Sequence, residues 1–167
     1  MYKKGDIWIS AILYFALGVI LLTIILAAGL PAINRMKDDF TVKQTQDLMI
    51  NLDGSIRTVY HEGPGSQRIV SLDIGRGEFL VKKDLEVIEW SIESSALISE
   101  VGVPIQEGNL FILTESSAVS GKYIVNLKLN YTGVGLNLTY GGPEKLSGEV
   151  GLSITNGGES KIVLTQL

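Results

Sequence analysis

The chain has no cysteine and a single histidine, His61, among its 167 residues. Disulfides, thiolate chemistry and cysteine metal sites are therefore excluded, and so are histidine clusters. The lack of thiols says nothing about redox compartment, because a chain without them is compatible with any. Positive charge is also scarce: 14 Lys and Arg stand against 18 Asp and Glu, a formal net charge of −4. With no basic stripe along the chain, a nucleic-acid partner is not expected. The most informative absence is local. Between Ile7 and Leu30 there is no charged side chain, and Ser10 and Thr23 are the only serine and threonine.

As a helix, these 24 residues span roughly 36 Å at about 1.5 Å per residue, enough for a hydrocarbon core of about 30 Å. The mean hydropathy of +0.28 is high for a soluble protein, and the excess is concentrated here. A buried core helix this long and apolar on every face needs a much larger domain around it. A secretory signal peptide shares the basic start of Met1 to Lys4, but its apolar run is about 7–15 residues. The small-residue exit at Ala27-Ala28-Gly29 comes well after that length. The segment is therefore expected to remain as a single transmembrane helix with membrane lipid as its partner. Trp8 suits the interface, and Tyr14 suits a deeper position against a neighbouring helix. Lys3 and Lys4 favour a cytoplasmic N-terminus, whereas Arg35 and Lys37 beside Asp38 and Asp39 leave the far side balanced.

Pro31 follows the apolar run directly, and a proline inside a helix removes one hydrogen bond and clashes with the preceding turn, so a kink is expected there. Beyond it, Ile33, Met36, Phe40, Leu48, Leu52, Ile56 and Val59 recur at spacings of three and four, with Gln44 filling the gap. They trace an apolar stripe opposite Arg35, Lys37, Asp38, Lys43, Asp47 and Asp53. Its charges cancel, so the stripe is expected to pack on protein, against the domain that follows, and not on a membrane surface. Gly54 weakens this helix by about 1 kcal/mol relative to alanine, and Gly63-Pro64-Gly65 ends it.

From Arg68 onward the period changes to two. Ile88, Trp90 and Ile92 alternate with polar residues, as do Tyr123, Val125, Leu127, Leu129 and Tyr131, then Leu136, Leu138 and Tyr140, then Val150, Leu152 and Ile154. Turn signals separate the runs at Gly75-Arg76-Gly77, Lys83-Asp84, Glu107-Gly108-Asn109, Thr132-Gly133, Gly141-Gly142-Pro143 and Asn156-Gly157-Gly158. Asn156-Gly157 reads as a two-residue hairpin. Eight or nine short strands without crossover helices predict an antiparallel sandwich or a strongly bent sheet. The fold class expected is thus α+β: a long N-terminal helix, transmembrane over 7–30 and amphipathic over 32–62, then a β-sandwich-like domain over 66–167.

Two N-glycosylation sequons, Asn130-Tyr131-Thr132 and Asn137-Leu138-Thr139, lie in this domain, with both asparagines in outward phase. No catalytic pattern emerges. Glu89 and Glu93 share a strand face but stand about 13 Å apart, beyond either glycosidase geometry. His61 has no serine or acid arrayed around it and reads as a helix-end residue near the C-terminal dipole. No cluster has metal-ligand spacing, so neither an enzyme nor a cofactor is expected.

One resemblance emerges from the N-terminus. Tyr2-Lys3-Lys4-Gly5-Asp6 placed directly before the apolar helix resembles the short basic leader of a type IV prepilin, closest to the archaeal pilin and archaellin kind. The plan of a long helix, apolar first and amphipathic after a proline, extends the resemblance to about Glu62. It implies cleavage by a prepilin peptidase between Gly5 and Asp6, with residues 1–5 as leader and 6–62 as the helix. It also implies extraction from the membrane by pilus assembly machinery and self-association through Ile7–Leu30 in a surface filament. Bacterial pilins usually carry a glutamate five residues after the cut and a phenylalanine as the first residue; here Ser10 and Asp6 stand in those places. The expected function is a structural subunit, major or minor, of an archaeal type IV pilus-like filament, with adhesion among its roles. The alternative is a permanently anchored single-pass protein presenting an immunoglobulin-like binding domain at the cell surface.

Overall fold

The computed structural model describes residues 4–167, with side chains described from Trp8 onward; Met1–Lys3 of the expected leader lie outside the described residues. One helix, α1 (Lys4–Glu62), precedes eight strands. These are β1 (Gln67–Lys82), β2 (Val87–Ser94), β3 (Ile105–Glu107), β4 (Leu110–Ser116), β5 (Tyr123–Asn130), β6 (Asn137–Tyr140), β7 (Lys145–Gly158) and β8 (Lys161–Gln166). A 3-10 turn, Lys83–Leu85, joins β1 to β2. The chain divides into two compact units, the first ending at Lys37 and the second running from Asp38 to Leu167. Pro31 lies inside α1, whose helical assignment is unbroken on both sides of it.

The eight strands form one sheet in the order β3-β4-β5-β2-β1-β7-β8-β6. Every pairing of neighbours is antiparallel except β6 with β8, which is parallel. That exception departs from the expected antiparallel pattern: β5 and β6, joined by residues 131–136 alone, run in the same sense, which is also the sense of β8.

Two long strands, β1 and β7, organise the sheet. The sequence signals at Gly75-Arg76-Gly77 and Asn156-Gly157 are not the turns expected of them. Gly75 to Glu78 form a bulge inside β1, where the register with β7 shifts between Ile74 and Phe79. The bulge has a purpose in packing. Gly77 sits at φ +96°, and a Cβ there would meet the Trp90 indole and the Ser91 carbonyl oxygen at 2.5–2.7 Å. Trp90 Nε1 donates to the Arg76 carbonyl at 2.9 Å, so the bulged backbone satisfies the one polar atom of a buried tryptophan. At the other site, Gly157 is the extra residue between the pairs Asn156↔Ile162 and Gly158↔Lys161. The hairpin itself turns at Glu159 and Ser160, with φ +50° and +64°, the mirror-image type I turn that suits strand twist.

The inner face of the sheet carries Leu72, Phe79, Ile88, Trp90, Leu127, Leu129, Leu152 and Ile154, all buried, and the second part of α1 covers it. The residues of α1 on that face are Asp38, Val42, Thr45, Met49, Leu52, Ile56 and Val59, spaced alternately by four and three. Each of the fully buried apolar ones contributes about 1.5–3 kcal/mol by leaving water. Leu52, Ile56 and Val59 are as expected, and Leu48 is half-buried. Ile33, Met36 and Phe40, expected in the stripe, are exposed. Asp38 and Asp53, assigned to the polar face, turn towards protein instead.

The reason lies in partners that only the folded chain supplies. Asp38 is 5% exposed. Its two oxygens accept from Arg76 Nη1 at 2.7 Å and from the Ser95 N–H at 2.8 Å. Burial by itself raises the Asp38 carboxyl, but the Ser95 N–H and the Arg76 guanidinium outweigh it and hold the group below its ordinary value. Asp53 Oδ1 accepts from the Tyr131 hydroxyl at 3.0 Å and from Asn109 Nδ2 at 3.2 Å, while Oδ2 binds Arg57 Nε at 2.8 Å. Burial, reinforced by the Asp53 charge, pushes the Tyr131 phenol far up, so it stays a donor.

The Asp38 arrangement gives a pH prediction. Because the folded carboxyl titrates below the unfolded one, its contribution is complete above the unfolded value of about 4 and is lost as pH falls through the folded value. Asp38→Ala should cost about 1–2 kcal/mol at pH 7, because the half-buried Ser95 N–H loses its acceptor while the Arg76 side chain, 59% exposed, returns to water. In urea titrations from pH 7 to pH 2, the gap between wild type and D38A should narrow below about pH 4. A gap constant across that range would mean the carboxylate charge is not what Arg76 and Ser95 recognise.

Candidate functional site

The first candidate surface is the apolar part of α1. From Trp8 to Leu30 the described side chains are exposed on every side of the helix; Trp8 is 74% exposed and Phe15 75%. A monomeric soluble protein rarely leaves more than a few hundred Å² of contiguous apolar surface in water, so such a surface marks a membrane or a partner. This is one helix long and apolar enough to cross a membrane. A helix meets the demand that a bilayer makes, since its interior backbone groups bond one another. Thr23 follows the same rule: its hydroxyl donates to the Val19 carbonyl one turn back, at 2.8 Å.

Gly5 and Asp6, the expected cleavage pair, fall within the first turns of α1, and their side chains are outside those described. Pro31 has no N–H to give to the Ala27 carbonyl, four residues earlier.

The second candidate is the outer face of the sheet. It carries a groove of about 540 Å³ whose lining includes Leu80, Phe111, Leu113, Asn126, Lys128 and Asn130. The carboxylates here are engaged. Glu89 is bonded by Lys82 and lies 3.7 Å from Lys128, Glu78 takes Lys145 Nζ at 2.8 Å, and Glu115 takes Asn126 Nδ2 at 2.9 Å. Glu93 accepts from Lys122 Nζ at 2.8 Å and from the Ser117 hydroxyl at 2.7 Å, and these bonds hold its carboxyl below the ordinary value. General-acid work near neutral pH calls for a raised carboxyl, and the shift at Glu93 is in the opposite direction. His61 is exposed in the last turn of α1, its ring edge-on to Tyr60. Among the described residues, no group of three or more His, Asp and Glu is arranged to hold a metal ion.

The two sequons occupy different settings. Asn130 ends β5, is half-buried and lines the groove. Asn137 begins β6 and is exposed. The structure does not bring them into one site.

A third set of residues could not be singled out from the sequence. Asn156, 6% exposed, donates Nδ2 to the Val59 and Tyr60 carbonyls at 3.0 and 3.2 Å, while its Oδ1 accepts the Gly158 N–H at 2.9 Å. The Ser66 hydroxyl adds a bond to the Val59 carbonyl at 2.8 Å. The last carbonyls of α1, which have no partners within a helix, are thus capped from β7 and from the turn before β1. Gly63 at φ +93° lets the chain leave the helix in a left-handed conformation.

Compared with protein-family models, with curated proteins and with solved structures, the chain matches none.

Proposed function

We propose that this chain is a structural subunit, major or minor, of an archaeal type IV pilus-like surface filament. The observation that carries the reading is one uninterrupted helix of two characters. It is apolar on all sides from Trp8 to Leu30, and from Asp38 onward it is seated by a four-three repeat on a β-sheet. The first character suits residence in lipid and then helix-on-helix packing with other copies; the second makes the same helix the spine of an exported domain. In this reading Lys3 and Lys4 stay cytoplasmic and the β domain lies outside. Prepilin peptidase cuts between Gly5 and Asp6, and assembly machinery draws the helix out of the bilayer. Pro31 provides a bend, since the Ala27 carbonyl loses its helical partner there. The bulges in β1 and β7 support a sheet that curls towards a sandwich-like shape, because bulges bend the strands that carry them.

Intact-mass and N-terminal analysis of the protein from its native envelope tests this. A mature chain beginning at Asp6 is expected. A chain still beginning at Met1 or Tyr2 would overturn the filament reading and favour the second one, a permanently anchored single-pass protein presenting an immunoglobulin-like domain. That alternative draws on the grooved outer face of the sheet and on Ser10, which stands where bacterial pilins have their glutamate.

A further inference from the structure

The fold treats the two sequons unequally. Asn130 belongs to β5, which is laddered to β2 on one side and β4 on the other. Its carboxamide oxygen accepts the Thr132 N–H at 3.0 Å, and the Thr132 hydroxyl donates to the Leu85 carbonyl at 2.8 Å. Tyr131, between them, is 1% exposed and bonded to Asp53. An enzyme that must hold Asn130 and Thr132 together would have to break these bonds and the pairing of Asn130 with Val87, at the end of an interior strand.

Asn137 is on the other kind of strand. β6 is the last strand in the sheet, joined to it by a single parallel ladder of four pairs with β8. The Asn137 backbone N–H donates to the Ser160 carbonyl at 2.8 Å, but its carboxamide makes no hydrogen bond among the described residues. The remaining ties of β6 are few. The Leu138 N–H donates to Glu86 Oε1 at 3.2 Å, the Thr139 hydroxyl to the Ile162 carbonyl at 3.2 Å, and the Gly141 N–H to the Leu164 carbonyl at 3.1 Å. Leu138 and Tyr140 anchor the strand on its buried side, yet the Tyr140 hydroxyl is buried with no hydrogen-bond partner among the described residues. A buried polar atom left unpaired weakens the docking it belongs to. Ahead of β6, Gly133 and Gly135 both sit at positive φ. Edge elements with few ties open locally at much lower cost than central ones.

We infer that Asn137 is the glycan acceptor of this chain and that Asn130 stays unmodified, because β6 can lift from β8 and present Asn137-Leu138-Thr139 in extended form. The inference rests on the export of the β domain given under Proposed function. The donor is a glycan joined through C1 to a lipid-linked phosphate or pyrophosphate. Asn137 Nδ2 forms the new bond to C1 as the C1–O bond to phosphate breaks. The phosphate leaves with the bonding pair, and Nδ2 passes one proton to a base of the transferase. The Thr139 hydroxyl, released from Ile162, becomes available for recognition. Afterwards β6 reseats through Leu138 and Tyr140, with the glycan on the exposed side.

The test uses the full-length chain in its native envelope, as wild type, N137Q and N130Q, with surface lysines labelled from outside by a membrane-impermeant reagent. Intact masses should show the same added glycan on wild type and N130Q and none on N137Q, with the glycopeptide mapping to residue 137. Hydrogen exchange on the wild type should show the β6 amides that bond to β8 exchanging about 100-fold or more faster than those of β5. Outside labelling with no glycan at Asn137, or with one at Asn130, overturns this inference and leaves the export reading standing. No labelling from outside overturns both. Exchange of β6 as slow as that of β5 removes the edge-opening basis even if the glycan is present.

Discussion

Gly77→Ala is expected to lower the stability of the sheet unit by about 3–6 kcal/mol. Two penalties combine. The backbone at φ +96° is one that L-residues avoid, at a cost of about 1–2 kcal/mol. The new methyl would also lie 2.5 Å from Trp90 Nε1 and 2.7 Å from the Ser91 carbonyl oxygen. Forcing atoms into a packed site costs about 1–3 kcal/mol, and losing the indole's bond to Arg76 adds about 1 kcal/mol. Urea unfolding of the full chain in detergent, followed by the fluorescence of buried Trp90, gives the measurement. Gly75→Ala serves as the internal comparison: Gly75 is not at positive φ, and a Cβ there meets nothing within 4 Å. It should fall within about 1 kcal/mol of wild type, the ordinary scale of glycine replacement at a compatible site. Equal effects at both positions would mean that neither the close approach nor the φ value of Gly77 matters.

Asn156→Leu is expected to cost about 3–4 kcal/mol. It keeps the branched shape and the number of side-chain heavy atoms and suits a buried place, so the lost hydrogen bonds dominate over the small increase in volume. The cost comes from three groups left without a side-chain partner: the Val59 and Tyr60 carbonyls and the Gly158 N–H. The Ser66 hydroxyl still serves Val59, so the penalty falls mainly on Tyr60 and Gly158, at about 1–3 kcal/mol each. A second reading separates this from general loosening: hydrogen exchange in the last turn of α1 should rise more than in β2. Asn156→Asp keeps the acceptor for Gly158 but sets a carboxylate against two carbonyl oxygens, so it should be as harmful as leucine at neutral pH and milder in acid. If aspartate is tolerated at pH 7, Asn156 does not cap the helix as described.

What the sequence disclosed follows from where its signals came from. The apolar helix was legible because every residue from Ile7 to Leu30 contributes to the same signal. The strands β2 and β5 were legible because each has one buried and one solvated face, which writes an alternation into the residues themselves. Gly75-Arg76-Gly77 and Asn156-Gly157 misled because glycine and asparagine signal a backbone conformation, and bulges and turns share it. The helix face drifted in phase for a different reason. Asp38 is the first buried residue of that face, and its burial depends on Arg76 and Ser95, far along the chain; no local pattern marks an acid as buried. Met36 and Phe40 are apolar yet exposed, so a stripe drawn through hydrophobic residues passes through them and misses Val42 and Met49. The parallel pairing of β6 with β8 was hidden because alternation fixes which face a residue takes but not which strand lies beside it. The sequons were legible as motifs, whereas their difference came only from the order of strands in the sheet.

The cap at the end of α1 also sets an order of events. Val59 and Asn156, which donates to its carbonyl, are separated by 97 positions, and β1 likewise finds its long partner only in β7. A chain made from its N-terminus therefore has its helix, and nearly the whole sheet, before the segment that secures both has been synthesised. Until then β1 has one free edge and the helix an open end, and contacts this distant in sequence form slowly. Closure of the unit therefore waits for β7, and the apolar segment of α1 is synthesised long before it.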